Sequence, residues 1–467
     1  MYEYNTYTGV IKYKGIEFPF VFDKKELKLI PPKDKEDEVR NWFRKSIATG
    51  VYVFGNPIYI TEYLYGSVNE TGHNIIFVPS KNTAISSINL TLIVNIDFYI
   101  LNKKDKTKID RIAIKGPEIT HIFPTTVAVN KINWSSDGKI GVSTKSFDET
   151  TTAKEKFNMN DKTIFIYFGI SVSSTYKTGQ SPISLDSTMF IEFDSTDDYE
   201  FIINLIKKTK QLIQYLCYRR NIVFSKVELA APAQKGLHEP FATLYETNQI
   251  DIEETYPNEK EKLIKYDYIQ GHLGEILNDI INEKIYLEHI PESYESGRRK
   301  NAGSFVLITA GFEWEFKRIY PNGIKKTEKT KKAEAKVTTI IEKLIEDNSG
   351  KVKEKFKFFK KLIGDDNLQS RIVESGKCFG NISDIFGDNL YNINNEKLNY
   401  NQMGKRIAEQ RNNFAHGNID KKFIGLSLLD LIYLEYLIYI MQLKFYGLDD
   451  LKIKYAINDL FGCNIAL

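Results

Sequence analysis

The chain has 467 residues, of which 42% are hydrophobic, 13% aromatic and 27% charged, a globular composition that excludes a disordered or fibrous polymer and gives room for about two to four domains. Sixty-four basic residues against 61 acidic ones leave a formal net charge of only +3, so a chain-wide electrostatic grip on nucleic acid is excluded and any such grip must be a local patch. Three widely spaced cysteines (Cys217, Cys378, Cys463) fit a reduced compartment rather than disulfides or a zinc cluster, and the start Met1-Tyr2-Glu3-Tyr4 lacks the basic and apolar runs of a secretory signal; the expected location is cytoplasmic.

Residues 1 to about 194 read as short strands. Val10 to Tyr13, Phe18 to Phe22, Leu27 to Ile30, Val51 to Phe54, Ile58 to Ile60 and Ile75 to Val78 are apolar runs broken by turn residues. Ile88 to Leu101 alternates in part, and Thr163 to Val172 and Met189 to Phe193 continue the pattern. Many strands without a helical period predict an antiparallel sandwich or barrel. From Asp197 the period changes: Ile202, Leu205, Ile206, Leu212, Ile213 and Leu216 fall at helical spacing, and Asp197 with Glu200 resembles a capping box. A strand over Ile222 to Leu229 and a loop with Pro232, Gly236 and Pro240 follow. The expected N-terminal module spans residues 1–255 and includes the helix 197–217.

Residues 256–467 read as helices: Glu261 to Glu288, Ala302 to Tyr320 stopped by Pro321, a charged segment, then Leu368 to Gly376, Gln402 to Ala415 and the apolar Gly425 to Tyr446. Helices joined by short loops predict a bundle, which makes the chain an α+β multidomain protein. Asp430 and Glu435 in the most apolar stretch argue for a buried helix and against a membrane span. The insertion 321–361 holds 13 lysines against 6 acidic residues, either an RNA-backbone patch or a solvated helix pair; Phe356, Phe358 and Phe359 within it are expected in a core.

No phosphate-cradling glycine loop of the P-loop or dinucleotide type occurs, and no nucleophile elbow. The six histidines contain no pair at i, i+4 spacing, so metal-free, cofactor-free chemistry is the simpler expectation. The informative segment is Gly404 to Gly417, with Arg411 and His416 separated by four residues at a helix end and Gly417 placed for a left-handed cap. These two residue types suffice to cleave RNA. Histidine takes the proton of an attacking 2′-hydroxyl or protonates the leaving 5′-oxygen. Arginine, always charged, clamps the phosphate and offsets its growing charge, and Asn412 can orient either group. The products would be a 2′,3′-cyclic phosphate and a 5′-hydroxyl.

Arg411-Asn412-x-x-Ala415-His416-Gly417, followed by one long apolar helix, resembles the signature of the HEPN ribonucleases: arginine, a polar residue, a short gap, then histidine. The strand-rich start (Gly9-Val10-Ile11-Lys12-Tyr13) leading to Phe190-Ile191-Glu192-Phe193 and Val227-Glu228-Leu229 is similar in order to the ApeA-like anti-phage members. That resemblance implies a sensor or regulatory β module, a HEPN nuclease domain with Arg411, Asn412 and His416 as catalytic residues, and a cleft shared by two protomers of a homodimer or higher even oligomer. It further implies abortive infection through cleavage of cellular RNA, with tRNA the expected substrate, and a phage-derived trigger. A tyrosine that some members carry two residues after the histidine is replaced here by Asn418. A non-catalytic scaffold that binds RNA or nucleotide, and a pure protein-interaction module, are the alternatives.

Overall fold

Alternation sets the N-terminal strands. In β1 (Tyr7–Tyr13), β2 (Ile16–Phe22) and β3 (Glu26–Leu29) every second side chain is buried, as one-sided burial of a pleated strand requires. In the computed structural model, which describes residues 5–47, 60, 62–80, 86–88, 90–134, 138, 140–176, 178–179, 181, 183–247, 257–363, 366–417 and 423–467, these strands join β4 (Leu64–Val68), β5 (Asn74–Pro79), β6 (Ser86–Ile88) and the long β7 (Thr91–Asn102). The antiparallel order β7-β3-β2-β1-β4-β5 closes on itself because β7 pairs with β3 through Leu29 and Leu92 and with β5 through Asn74 and Asn102. The result is a six-stranded barrel. Phe18, Phe20, Phe22 and Phe77 fill it, and the Phe22 ring meets Phe77 and Tyr99 edge-on at 4.8 and 5.0 Å, the arrangement that aromatic quadrupoles favour.

Beyond the barrel the same sheet runs on. Its further strands are β8 (Ile109–Lys115), β11 (Glu155–Met159), β12 (Lys162–Ser174), β13 (Ile183–Thr196), β14 (Lys226–Pro232) and β15 (His238–Glu246), in the order β11-β12-β13-β8-β14-β15-β7, while β9 (Val129–Trp134) and β10 (Ile140–Thr144) pair separately. Among the described residues the helices α1 (Glu36–Ile47), α2 (Pro117–Ile122), α3 (Phe147–Thr150) and α4 (Tyr199–Cys217) accompany the strands. Phe201 of α4 packs on Phe193 of β13 at 5.4 Å.

Several sequence readings shift here. Val51 to Phe54 and residues 58–59 lie outside the described residues. Of the run read as Ile88 to Leu101, Thr91 to Leu101 lie in β7 as one strand, while Ile88 belongs to β6 and the hairpin between them turns through Leu90 at a φ of 67°. The cap of α4 is Asp198, whose carboxylate accepts the Phe201 amide at 3.0 Å, whereas Asp197 pairs with Lys108 at 2.8 Å. The stretch with Pro232, Gly236 and Pro240 is a β-hairpin rather than a loop. Pro240 is tolerated there because the register slips between Leu229 and Ala230, so its missing amide falls at a bulge.

Helices make up the C-terminal half: α5 (Tyr266–Ile269), α6 (Leu273–Ile281), α7 (Tyr294–Arg298), α8 (Ala302–Ile319), α9 (Glu328–Glu346), α10 (Gly350–Leu362), α11 (Leu368–Ile393), α12 (Tyr400–Ala415), α13 (Ser427–Phe445) and α14 (Asp450–Phe461). By compactness the chain divides into two units, one of Met1–Lys207 with Asn221–Ile252 and one of Lys208–Arg220 with Glu253–Leu467; the division falls inside α4. The single helix expected over Glu261 to Glu288 is broken into α5 and α6, with Gly271 at a φ of 89° between them. The helix read as Leu368 to Gly376 runs on to Ile393. Burial within α13 includes Asp430 and Glu435, and among the described residues no helix is long and apolar enough to cross a membrane.

Candidate functional site

The site is carried by α12, and the position of α12 follows from its buried face. Met403, Gly404, Ile407, Gln410 and Phe414 are its buried residues, spaced as one helical stripe. Gly404 permits a close approach: a Cβ there would lie 2.9 Å from the Gln369 Cα and 3.0 Å from its carbonyl oxygen. Phe414 closes the stripe against the rings of Phe305 and Phe423 at 5.6 and 5.7 Å.

Two buried polar links fix α12 to α13. Arg406 reaches Asp430 through Nε at 2.6 Å and Nη2 at 2.7 Å, a bidentate pair, and Tyr391 of α11 donates its hydroxyl to the same carboxylate. Asp430 is wholly buried, so these bonds supply what water would otherwise give it. Burial and the adjoining carboxylate push the Tyr391 hydroxyl far above its ordinary pKa. Near the helix end, the buried Gln410 accepts the Ile424 amide at 2.7 Å and the Ser427 hydroxyl at 3.3 Å.

With the stripe pinned inward, Asn412, Ala415 and His416 are exposed and Arg411 is half-buried. The helix ends as its sequence requires. His416 is the C-cap at φ −89°, ψ 13°, its amide donating to the Asn412 carbonyl at 3.1 Å. Gly417 follows at a φ of 82°, in the left-handed region, with its amide on the Phe414 carbonyl at 3.1 Å. The imidazole has no side-chain hydrogen bond or ion pair among the described residues.

Arg411 is held by neighbours. Its Nη2 lies 3.5 Å from Glu313 Oε2 on α8, and its Nη1 donates to Asn412 Oδ1 at 3.4 Å. Glu313 also binds Arg371 of α11, Nη1 to Oε1 at 3.0 Å. The structure thus groups Arg411 and Asn412 with Glu313 and Arg371, while His416 stands one turn further along the same helix. Arg371 escaped the sequence reading, because nothing in local spacing marks an arginine that meets Glu313 from 58 residues away. Glu313, in Gly311-Phe312-Glu313-Trp314-Glu315, reads from the sequence either as a second polar group beside the motif or, more readily, as part of a solvated helix face; the structure has it paired with Arg371 and Arg411.

The lysine-rich insertion forms α9 and α10, and α9 buries no residue. Phe358 and Phe359 are 56% and 46% exposed and Phe356 is half-buried, so the expectation that they belong to a core is overturned. Among the described residues no group of three or more His, Cys, Asp or Glu side chains is placed to hold a metal ion. Compared with protein-family models, with curated proteins and with solved structures, the chain has no match.

Proposed function

We propose that this chain is a metal-independent endoribonuclease of HEPN type, acting in anti-phage defence of the ApeA-like kind through abortive infection, with cellular RNA, and tRNA first, as substrate. The observation that supports this most is that Arg411 and His416 lie five positions apart at the C-terminal end of one helix, His416 as its C-cap, the arginine half-exposed and the imidazole exposed, while Gln410 and Phe414 hold that end from behind. In the proposed reaction the 2′-hydroxyl attacks the adjacent phosphorus and the P–O5′ bond breaks. His416 transfers the proton on one side of this displacement. Arg411, with Arg371 beside it, meets the nonbridging oxygens as their charge grows. Asn412 orients the guanidinium it already touches. One such set is sparse for an acid, a base and a clamp, so a homodimer that joins two sets is part of the proposal.

The ion pair of Arg411 with Glu313 also suits a purely structural arginine, which favours the interaction-module reading as the second choice. One experiment separates them. Purified protein is incubated with total RNA and tRNA in EDTA, beside His416→Ala and Arg411→Ala, and expression toxicity during phage infection is scored in parallel. The nuclease reading expects cleavage in EDTA, 2′,3′-cyclic phosphate ends, and losses of about 10²–10⁴-fold in each variant. RNA binding without cleavage supports a scaffold. Cleavage or toxicity that ignores both substitutions refutes the assignment of these residues.

A further inference from the structure

A cavity of about 280 Å³ lies in the helical unit between α7, α13 and α14, and all its lining residues belong to that unit. Its walls are aromatic: Tyr218, Tyr294, Tyr436 and Phe461. Phe461 stands 4.5 Å from the Tyr436 ring and 5.2 Å from that of Tyr218, so the rings brace one another. Into this apolar lining the chain sets one ion pair, Lys300 with Glu435, whose side chains are only 7% and 4% exposed. Lys300 Nζ donates to Glu435 Oε1 at 2.5 Å, and the Tyr218 hydroxyl donates to the same oxygen. Oε2, the other carboxylate oxygen, accepts nothing among the described residues, on a side chain that lines the cavity.

Oε2 faces the cavity, and a ligand that displaces water from it must itself supply a donor. A hydrocarbon ligand would bury Oε2 with no partner. A cationic ligand would meet the Lys300 ammonium and the guanidinium of Arg298, which pairs with Glu259 at 3.0 Å and is 59% exposed. What fits is a flat neutral ring with an N–H donor beside an acceptor, the donor for Oε2 and the acceptor for Lys300 Nζ. We propose that this cavity binds a single nucleobase on a phosphorylated sugar, its face against Tyr436 and Phe461, its edge on Glu435 and Lys300, and its phosphate toward the exposed guanidinium of Arg298. The volume sits at the lower end of ligand pockets and admits one base, not two. The base can come from a free mononucleotide or from one unstacked position of an RNA strand.

The test uses the full chain, with AMP, GMP, CMP and UMP offered separately at up to millimolar concentration, and a single-stranded RNA hexamer in a further arm. Calorimetry and thermal shift read binding. Ile432→Phe fills the cavity from α13 without removing a polar group, and Glu435→Gln keeps shape but removes the charge. Saturable binding of at least one ligand, weakened about tenfold or more by Ile432→Phe, supports the proposal; a matching loss in Glu435→Gln assigns the edge contact. If Glu435→Gln fails to fold, Ile432→Phe decides alone. Mononucleotide binding without hexamer binding identifies a free nucleotide as the ligand. Hexamer binding that Ile432→Phe abolishes, with no mononucleotide bound, identifies a strand. No binding in any arm, or binding indifferent to Ile432→Phe, overturns it. Binding is the readout, so the result does not depend on whether Arg411 and His416 cleave RNA.

Discussion

Replacing Gln410 by leucine should loosen the turn that carries His416 without touching any exposed group. The side-chain oxygen of Gln410 accepts the Ile424 amide at 2.7 Å and the Ser427 hydroxyl at 3.3 Å. Losing the acceptor strands a donor at each, at about 1–3 kcal/mol for an unsatisfied buried group. Part of that is returned, because Gln410 Nε2 is itself buried without a partner and leucine removes it. The net loss should be about 1–2 kcal/mol. In a unit of this size that lowers the unfolding midpoint by about 2–8 °C, and exchange of the Ile424 amide should speed up by about tenfold. The assay is hydrogen exchange over residues 423–430 beside RNA cleavage in EDTA. Cleavage should fall along with protection, since a general acid or base must be held within hydrogen-bonding reach of its proton. Unchanged protection would refute the role of Gln410 as the anchor. Lost protection with undiminished cleavage would refute the claim that the geometry of this last turn matters to the chemistry.

Two further outcomes follow from the buried polar groups. Asp430→Asn removes the charge that satisfies Arg406 and Tyr391; with Arg406 still 21% exposed, the loss should fall near the lower end of the range for a broken buried pair, about 3 kcal/mol. Calorimetry should show this as a lowered transition, and a midpoint within about 1 °C of wild type would contradict it. His289 is buried beside the rings of Tyr218, Tyr286 and Tyr439. Burial, helped by the nearby Lys300 ammonium, pushes its pKa down from 6.5 to about 3. Below pH 6.5 the unfolded chain takes up a proton that the folded one refuses, so stability falls as pH drops from 6.5 toward 3. Between pH 7 and 5 the loss from this one group is about 2 kcal/mol. Urea midpoints at both pH values should show His289→Leu losing less stability on acidification than wild type, and parallel slopes would rule this out.

Local chemistry made much of the molecule legible. Phe18, Phe20 and Phe22 alternate strictly, and alternation has only one structural meaning at that spacing. Gly417 directly after His416 marks a helix end, because only a residue at ease with positive φ follows there. The apolar run holding Asp430 and Glu435 reads as a buried helix, since such charges are tolerated in a core only when partnered. The failures share a cause as well. The hairpin through Pro240 depends on a register slip opposite Ala230, which no residue beside it announces. The break between α5 and α6 turns at Gly271, a single glycine inside a run whose apolar spacing otherwise continues.

From its own order of residues, then, the chain determined that strands come first and helices after, where α12 stops, and that two side chains, Arg411 and His416, lie five positions apart at its end. Tertiary structure alone decided that the strands close into a six-stranded barrel, that Glu313 and Arg371 join Arg411, and that Glu435 keeps one oxygen open beside aromatic rings. The first set depends on backbone preferences acting over a few residues. The second requires side chains tens to hundreds of positions apart to share one small volume, and only the packed core specifies which of them meet.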